Sequence, residues 1–260
     1  MAVTSQQIRL TSGVNALVVP GSPTAARPQL RVDSPMVALG LPSTGTESID
    51  AHSVGSFDWL MDDDEYWAFD TADGMLLSLG LTVPEVNRES VPARAGWNAT
   101  EATAGTLRLP VLKNFGRAPA VERWCDPEGS ELFGFYTAGV DGFTEGTSRR
   151  RLAIAEGTIL LTVDSILIGW SIADPARFIT GAAVPPRVYG TTPDAQLPAL
   201  LVEFFKLVTV ENVDRLEDGD QSLKSALEEL AERLQAVGDH GELRALEILN
   251  KVRQVLEDFA

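Results

Sequence analysis

Hydrophobic alternation and turn residues divide the chain into a long strand-rich portion followed by a helical end. Residues 7–10 continuing into 14–19, and 30–32 continuing into 36–41, read as strands, with Pro20, Gly21, Pro23 and Pro28 punctuating the stretch between them. Residues 43–54 are small and polar and read as a loop. Phe57, Trp59 and Met61 then alternate with Asp58, Leu60 and Asp62, the period of a strand. The run Asp62, Asp63, Asp64, Glu65 interrupts that strand. Residues 66–70 resume it, with Trp67 and Phe69 on one face, and residues 75–83 return after the turn signal Asp73-Gly74. Residues 86–119 are weakly patterned, with one strand at 106–112, and read as a long connection.

A second set of strands follows. Residues 121–125 and 132–137 flank Asp126-Pro127-Glu128-Gly129, a turn with Pro second and Gly fourth. Residues 151–155, 158–163 and 166–172 are separated by the pairs Glu156-Gly157 and Asp164-Ser165, which predict tight hairpins. From Pro198 the period becomes helical. Leu200, Leu201, Phe204, Phe205 and Val208 form one apolar stripe. Asp220 stands where an N-cap belongs, ahead of Leu223, Leu227, Leu230, Leu234 and Val237, and Gly238 is placed to end that helix. A further stripe through Leu243, Leu246, Val252 and Leu256 completes an antiparallel helical hairpin.

The expected fold class is therefore α+β: mainly antiparallel β meanders followed by a C-terminal helical region ending in an antiparallel helix hairpin. The expected division is a β domain over residues 1–190 and a helical region over 191–260. The helical stripes suit either the chain's own sheet or a homodimer seam between two copies.

Charge changes this picture more than composition does. At 260 residues, with 44% hydrophobic and 22% charged residues, the chain has ordinary globular content, but its formal charge is −16. Residues 43–87 hold ten acids and no Lys or Arg, together with Phe57, Trp59, Tyr66, Trp67 and Phe69. Residues 197–260 add fourteen acidic against seven basic positions. Such a field disfavours nucleic acid and steers cationic proteins inward.

Candidate chemistry is sparse. His52 and His240 are the two histidines, and neither sits in a recognisable nucleophile motif. No Gly-rich phosphate loop is present, so no nucleotide cofactor is expected. Cys125 is the single cysteine, which excludes an intramolecular disulfide and reads as a small core side chain. Asp62, Asp63, Asp64 and Glu65 would point to alternate sides of an extended chain, so no metal site is assigned to them. The triplet Arg149, Arg150, Arg151 reads as a gatekeeper against edge pairing, with docking on the acidic hairpin as its alternative. The longest apolar run, 158–172, contains Asp164 and is too short to span a bilayer as a helix. The first ten residues lack a secretion-signal pattern, so a cytoplasmic protein without membrane contact is expected.

These features predict a non-catalytic protein whose acidic, aromatic hairpin grips a basic protein partner through Trp59, Asp62, Asp63, Asp64, Glu65, Tyr66 and Trp67. Bacterial immunity proteins and antitoxins that neutralise basic nucleases share that composition, and the likeness is one of composition alone. The alternatives are an assembly subunit joined through its C-terminal helices, and a carboxylate-based hydrolase requiring two converging acids.

Overall fold

The computed structural model describes residues 6–24, 26–40, 52–57, 65–88, 97, 100–137, 147–185 and 187–259. Fourteen strands and four α-helices occupy them. The strands are β1 (Gln7–Thr11), β2 (Val14–Pro20), β3 (Gln29–Arg31), β4 (Met36–Leu39), β5 (Ser53–Phe57), β6 (Tyr66–Asp70) and β7 (Leu76–Thr82). They continue with β8 (Ala102–Arg108), β9 (Glu122–Cys125), β10 (Glu131–Phe135), β11 (Arg149–Ala155), β12 (Thr158–Val163), β13 (Ile166–Ala173) and β14 (Ile179–Thr180). The helices are α1 (Leu197–Leu207), α2 (Val210–Glu217), α3 (Gln221–Asp239) and α4 (Leu243–Asp258).

The architecture is α+β, but the expected succession of antiparallel meanders is overturned. Strands β1, β2, β8, β11, β12 and β13 pair in that order, and β1 meets β13 again, closing a six-stranded barrel. Two of its pairs are parallel: β8 with β11, and β1 with β13. The outer edge of β13 is shared, because Ile166 aligns with Arg9 of β1 while residues 169–173 pair with β10. The β9–β10 hairpin extends from that edge. A second sheet has the order β14-β3-β4-β7-β6-β5, with a parallel β14–β3 pair. The chain thus leaves the barrel after β2, builds most of the second sheet, and re-enters at β8. Alternation along a strand reports which face is buried and says nothing of its partner. Closure also removes edges that a chain of open meanders would expose.

The turns obey local chemistry. Asp164 and Ser165 both adopt positive φ, at 49° and 65°, as a two-residue hairpin between twisted strands requires. Gly129 N–H donates to Asp126 O at 2.7 Å, closing the turn between β9 and β10. A Cβ at Gly129 would fall 2.6 Å from Pro198 O, so this turn packs directly onto the start of α1.

Asp220 caps α3, its Oδ1 accepting from the N–H groups of Ser222 and Leu223. Gly238 does not end that helix; α3 runs to Asp239, and Leu246 of α4 lies where a Cβ of Gly238 would be. The left-handed link residue is Gly241, with φ 99°. Leu223, Leu227, Leu230, Leu234 and Val237 are all buried within the chain, in one apolar cluster that also includes barrel and second-sheet residues. The stripe considered as a homodimer seam is therefore already covered.

β11 lies between β8 and β12, and Arg151 is in register with Ala102 and with Leu161. At Arg151 there is no free edge for a gatekeeper to guard.

Candidate functional site

The acidic hairpin places its residues unequally. Trp59, Asp62, Asp63 and Asp64 lie outside the described residues. Tyr66 is half-buried, whereas Glu65 and Trp67 are 0% exposed. Alternation along β6 puts Glu65, Trp67 and Phe69 on one face, and Trp67 and Phe69 belong to the main apolar core. These two members of the expected interface thus point inward, and they do so as part of a buried polar cluster.

Glu65 Oε1 accepts three hydrogen bonds: from Trp67 Nε1 at 2.8 Å, Arg117 Nε at 3.1 Å and Tyr136 OH at 2.7 Å. The guanidinium carbon of Arg117 stands 3.7 Å from the centroid of the Tyr136 ring and 5.7 Å from that of Trp67. Its charge is thus sandwiched between a carboxylate and two π-faces. Burial pushes the Glu65 carboxyl above its ordinary value, opposed by the charge of Arg117 and by the three hydrogen bonds. Burial and the neighbouring Glu65 charge push the Tyr136 phenol well above its usual range, so the hydroxyl stays a donor. Glu65 Oε2 and Ser56 Oγ are both buried and, among the described residues, have no hydrogen-bond partner.

This arrangement ties three parts of the chain together. Trp67 belongs to the second sheet, and Glu65 stands two residues before it, just ahead of β6. Tyr136 follows β10, and its N–H donates to Ile168 O of β13. Arg117 comes from the connection between β8 and β9, which also crosses β5: Phe115 N–H donates to Gly55 O at 2.9 Å, and Asn114 Oδ1 accepts from Gly55 N–H at 3.1 Å. The cluster acts as a fastener between sheet and barrel. With one oxygen saturated and the other sealed from solvent, Glu65 is poorly placed to exchange protons with a substrate. Sequence reasoning missed Arg117 and Tyr136, because Arg117 sits in a segment with no periodicity and a terminal-strand Tyr carries no distinguishing signal.

Cys125 and the two histidines complete the candidate reactive groups named from the sequence. Burial lifts the Cys125 thiol to about 12, which leaves it protonated at neutral pH. His52 and His240 are exposed, and His240 Nδ1 lies 2.6 Å from Ala236 O. Among the described residues, no group of three or more His, Cys, Asp or Glu could hold a metal ion. No helix among them is long and apolar enough to cross a membrane.

A different acidic surface is on view. With the apolar stripes of α1, α3 and α4 turned inward, the outer side of the helical layer carries exposed Glu211, Asp214, Glu217, Asp218, Glu228, Glu229, Glu232, Asp239, Glu257 and Asp258. The exposed cations there are Lys206, Arg215, Arg233 and Arg253. Arg215 is held by Asp220 at 2.6 Å and Arg233 by Glu203 at 2.6 Å, so two of the four are already neutralised. Comparison with protein-family models, curated proteins and solved structures finds no match for this chain.

Proposed function

We propose that this protein works by non-catalytic binding of a basic protein partner, in the manner of a neutralising or sequestering protein. The observation that carries the reading is the outward face of the helical layer, where exposed acids outnumber cations and half of the exposed cations are internally paired. Together with the total charge of −16, this surface provides an attractive field for a cationic protein and a repulsive one for nucleic acid. The reading takes the protein to act in the cytoplasm, away from membranes and nucleic acid. Relative to the sequence expectation, Glu65 and Trp67 are removed from the contact surface and the helical acids are added to it. An assembly role would have to use a surface other than the α3 stripe, which is buried within the chain.

The test is affinity capture from the native host, with wild type and a Glu228→Gln/Glu229→Gln/Glu232→Gln variant, at low and high salt. A basic protein retained by wild type, released by salt and lost from the variant supports the reading. Retention that ignores both salt and the substitutions overturns it.

A further inference from the structure

We propose that the cleft between residues 85–87 and α2 is a docking site for an extended, basic segment of a partner protein, which adds to a sheet edge at Asn87. The cleft shares Glu211 and Asp214 with the acidic helical surface described above, and the proposal rests on that binding reading.

Residues 86–88 run parallel to β9 and extend the sheet by one short piece of edge. Arg123 N–H donates to Val86 O at 2.8 Å, and Arg88 N–H donates to Arg123 O at 2.7 Å, with Asn87 in register with Arg123. In a parallel ladder the residue between two such bonds turns its own N–H and C=O to the opposite side. Among the described residues the backbone N–H and C=O of Asn87 have no hydrogen-bond partner, and Asn87 itself is exposed. This is the unpaired edge that strand addition uses.

The edge is anchored by side-chain hydrogen bonds. Asn87 Nδ2 donates to Phe205 O at 2.8 Å, and Asn87 Oδ1 accepts from Arg123 Nε at 2.8 Å. Arg123 Nη2 in turn donates to the carbonyls of Phe205 and Val208. The side chain of Asn87 is thereby fixed to the end of α1 while its backbone faces outward, so little ordering remains to oppose binding.

Across the cleft, of about 510 Å³, stands α2. Val86 and Val210 are 52% and 51% exposed and line the same cleft, one on each wall. They offer an apolar slot for one side chain of a strand laid along Asn87. The charged rim sets the class of occupant. Glu85, Glu211 and Asp214 are exposed, whereas Arg215 is held by Asp220 and Asn212, leaving Lys206 as the remaining cation of this rim among the described residues. An extended segment alternating apolar and cationic residues satisfies edge, slot and rim together.

The probe is a blocked heptapeptide of alternating lysine and valine, titrated into ¹⁵N-labelled full-length protein at low and high salt. The expected result is salt-sensitive binding, with amide shifts centred on Val86, Asn87, Val210 and Glu211 and slowed hydrogen exchange at Asn87. Val86→Ser/Val210→Ser should weaken binding about tenfold, and Glu211→Gln/Asp214→Asn should weaken it by a similar factor. A glutamate–valine peptide should not bind. All four substitutions are at exposed positions, and the unperturbed spectrum of each variant verifies its fold. Binding unchanged in both variants, shifts confined to another surface, or no binding at all each overturn the proposal. In the second case, salt-sensitive binding elsewhere would leave the broader binding reading standing.

Discussion

Glu65 and Glu228 are both glutamates of a strongly acidic chain, and the structure uses them in opposite ways. Glu65 is 0% exposed and its Oε1 is shared among Trp67, Arg117 and Tyr136, joining the second sheet to the barrel. Glu228 lies on the solvent side of α3, one residue from the buried Leu227. Pairing with Arg117 and burial leave the first acid little part in the external field, whereas the second faces solvent. A count of acids along a sequence therefore measures net charge correctly and maps the exposed charge badly.

The comparison is broken most severely at Arg117. Arg117→Ala should cost about 3–5 kcal/mol, because it leaves the Glu65 carboxylate buried without a counter-charge. Denaturant unfolding reads this directly, and a loss below about 1 kcal/mol would show that the cluster is not a fastener. Replacing both partners sharpens the point: Glu65→Leu/Arg117→Leu should be less destabilised than Arg117→Ala alone, since no orphan charge remains.

Next in size is the boundary between buried and exposed faces of α3. Leu227→Ala should cost about 2–5 kcal/mol through the cavity it leaves. Its neighbour Glu228→Ala should stay within about 0.5 kcal/mol. Comparable losses at the two positions would place the helix face wrongly.

A smaller effect is read from pH, at Glu65 and at the half-buried Glu242. The folded-state pKa of Glu65 is raised above the ordinary 4.5, with burial the main cause. Its contribution is thus fully present below pH 4.5 and is lost as pH rises through the folded-state value. Glu242 behaves oppositely. Burial raises its pKa, but hydrogen bonds from Arg244 and Asp194 N–H and the Arg244 charge outweigh that and lower it, so its contribution is lost as pH falls. Unfolding midpoints measured across pH for wild type and Glu65→Gln should differ by an amount that changes above pH 4.5. A constant difference would mean that Glu65 does not titrate with folding.

Much of the local structure was legible in the chain. Asp164-Ser165 specifies its hairpin because two consecutive positive-φ residues are needed there, and the Leu223–Val237 spacing identifies the buried face of α3. Partner choice was not legible. β8 lies between β2 and β11, and nothing in the alternation of either neighbour marks them as flanking it. The inward turn of Trp67 was ambiguous for a related reason: an aromatic beside acids suits an interface and a core equally, and Arg117, fifty-two residues from Glu65, settles the matter only in three dimensions. Gly238 misled because a glycine near a helix end signals termination, whereas here it admits Leu246.

The most direct test of the central claim is the affinity of the captured basic partner, purified, for wild type and for Glu228→Gln/Glu229→Gln/Glu232→Gln across a range of salt. The account predicts binding that weakens steeply with salt in wild type, with both the affinity and the salt slope reduced in the variant. An affinity that is independent of salt and the same in both proteins would contradict it.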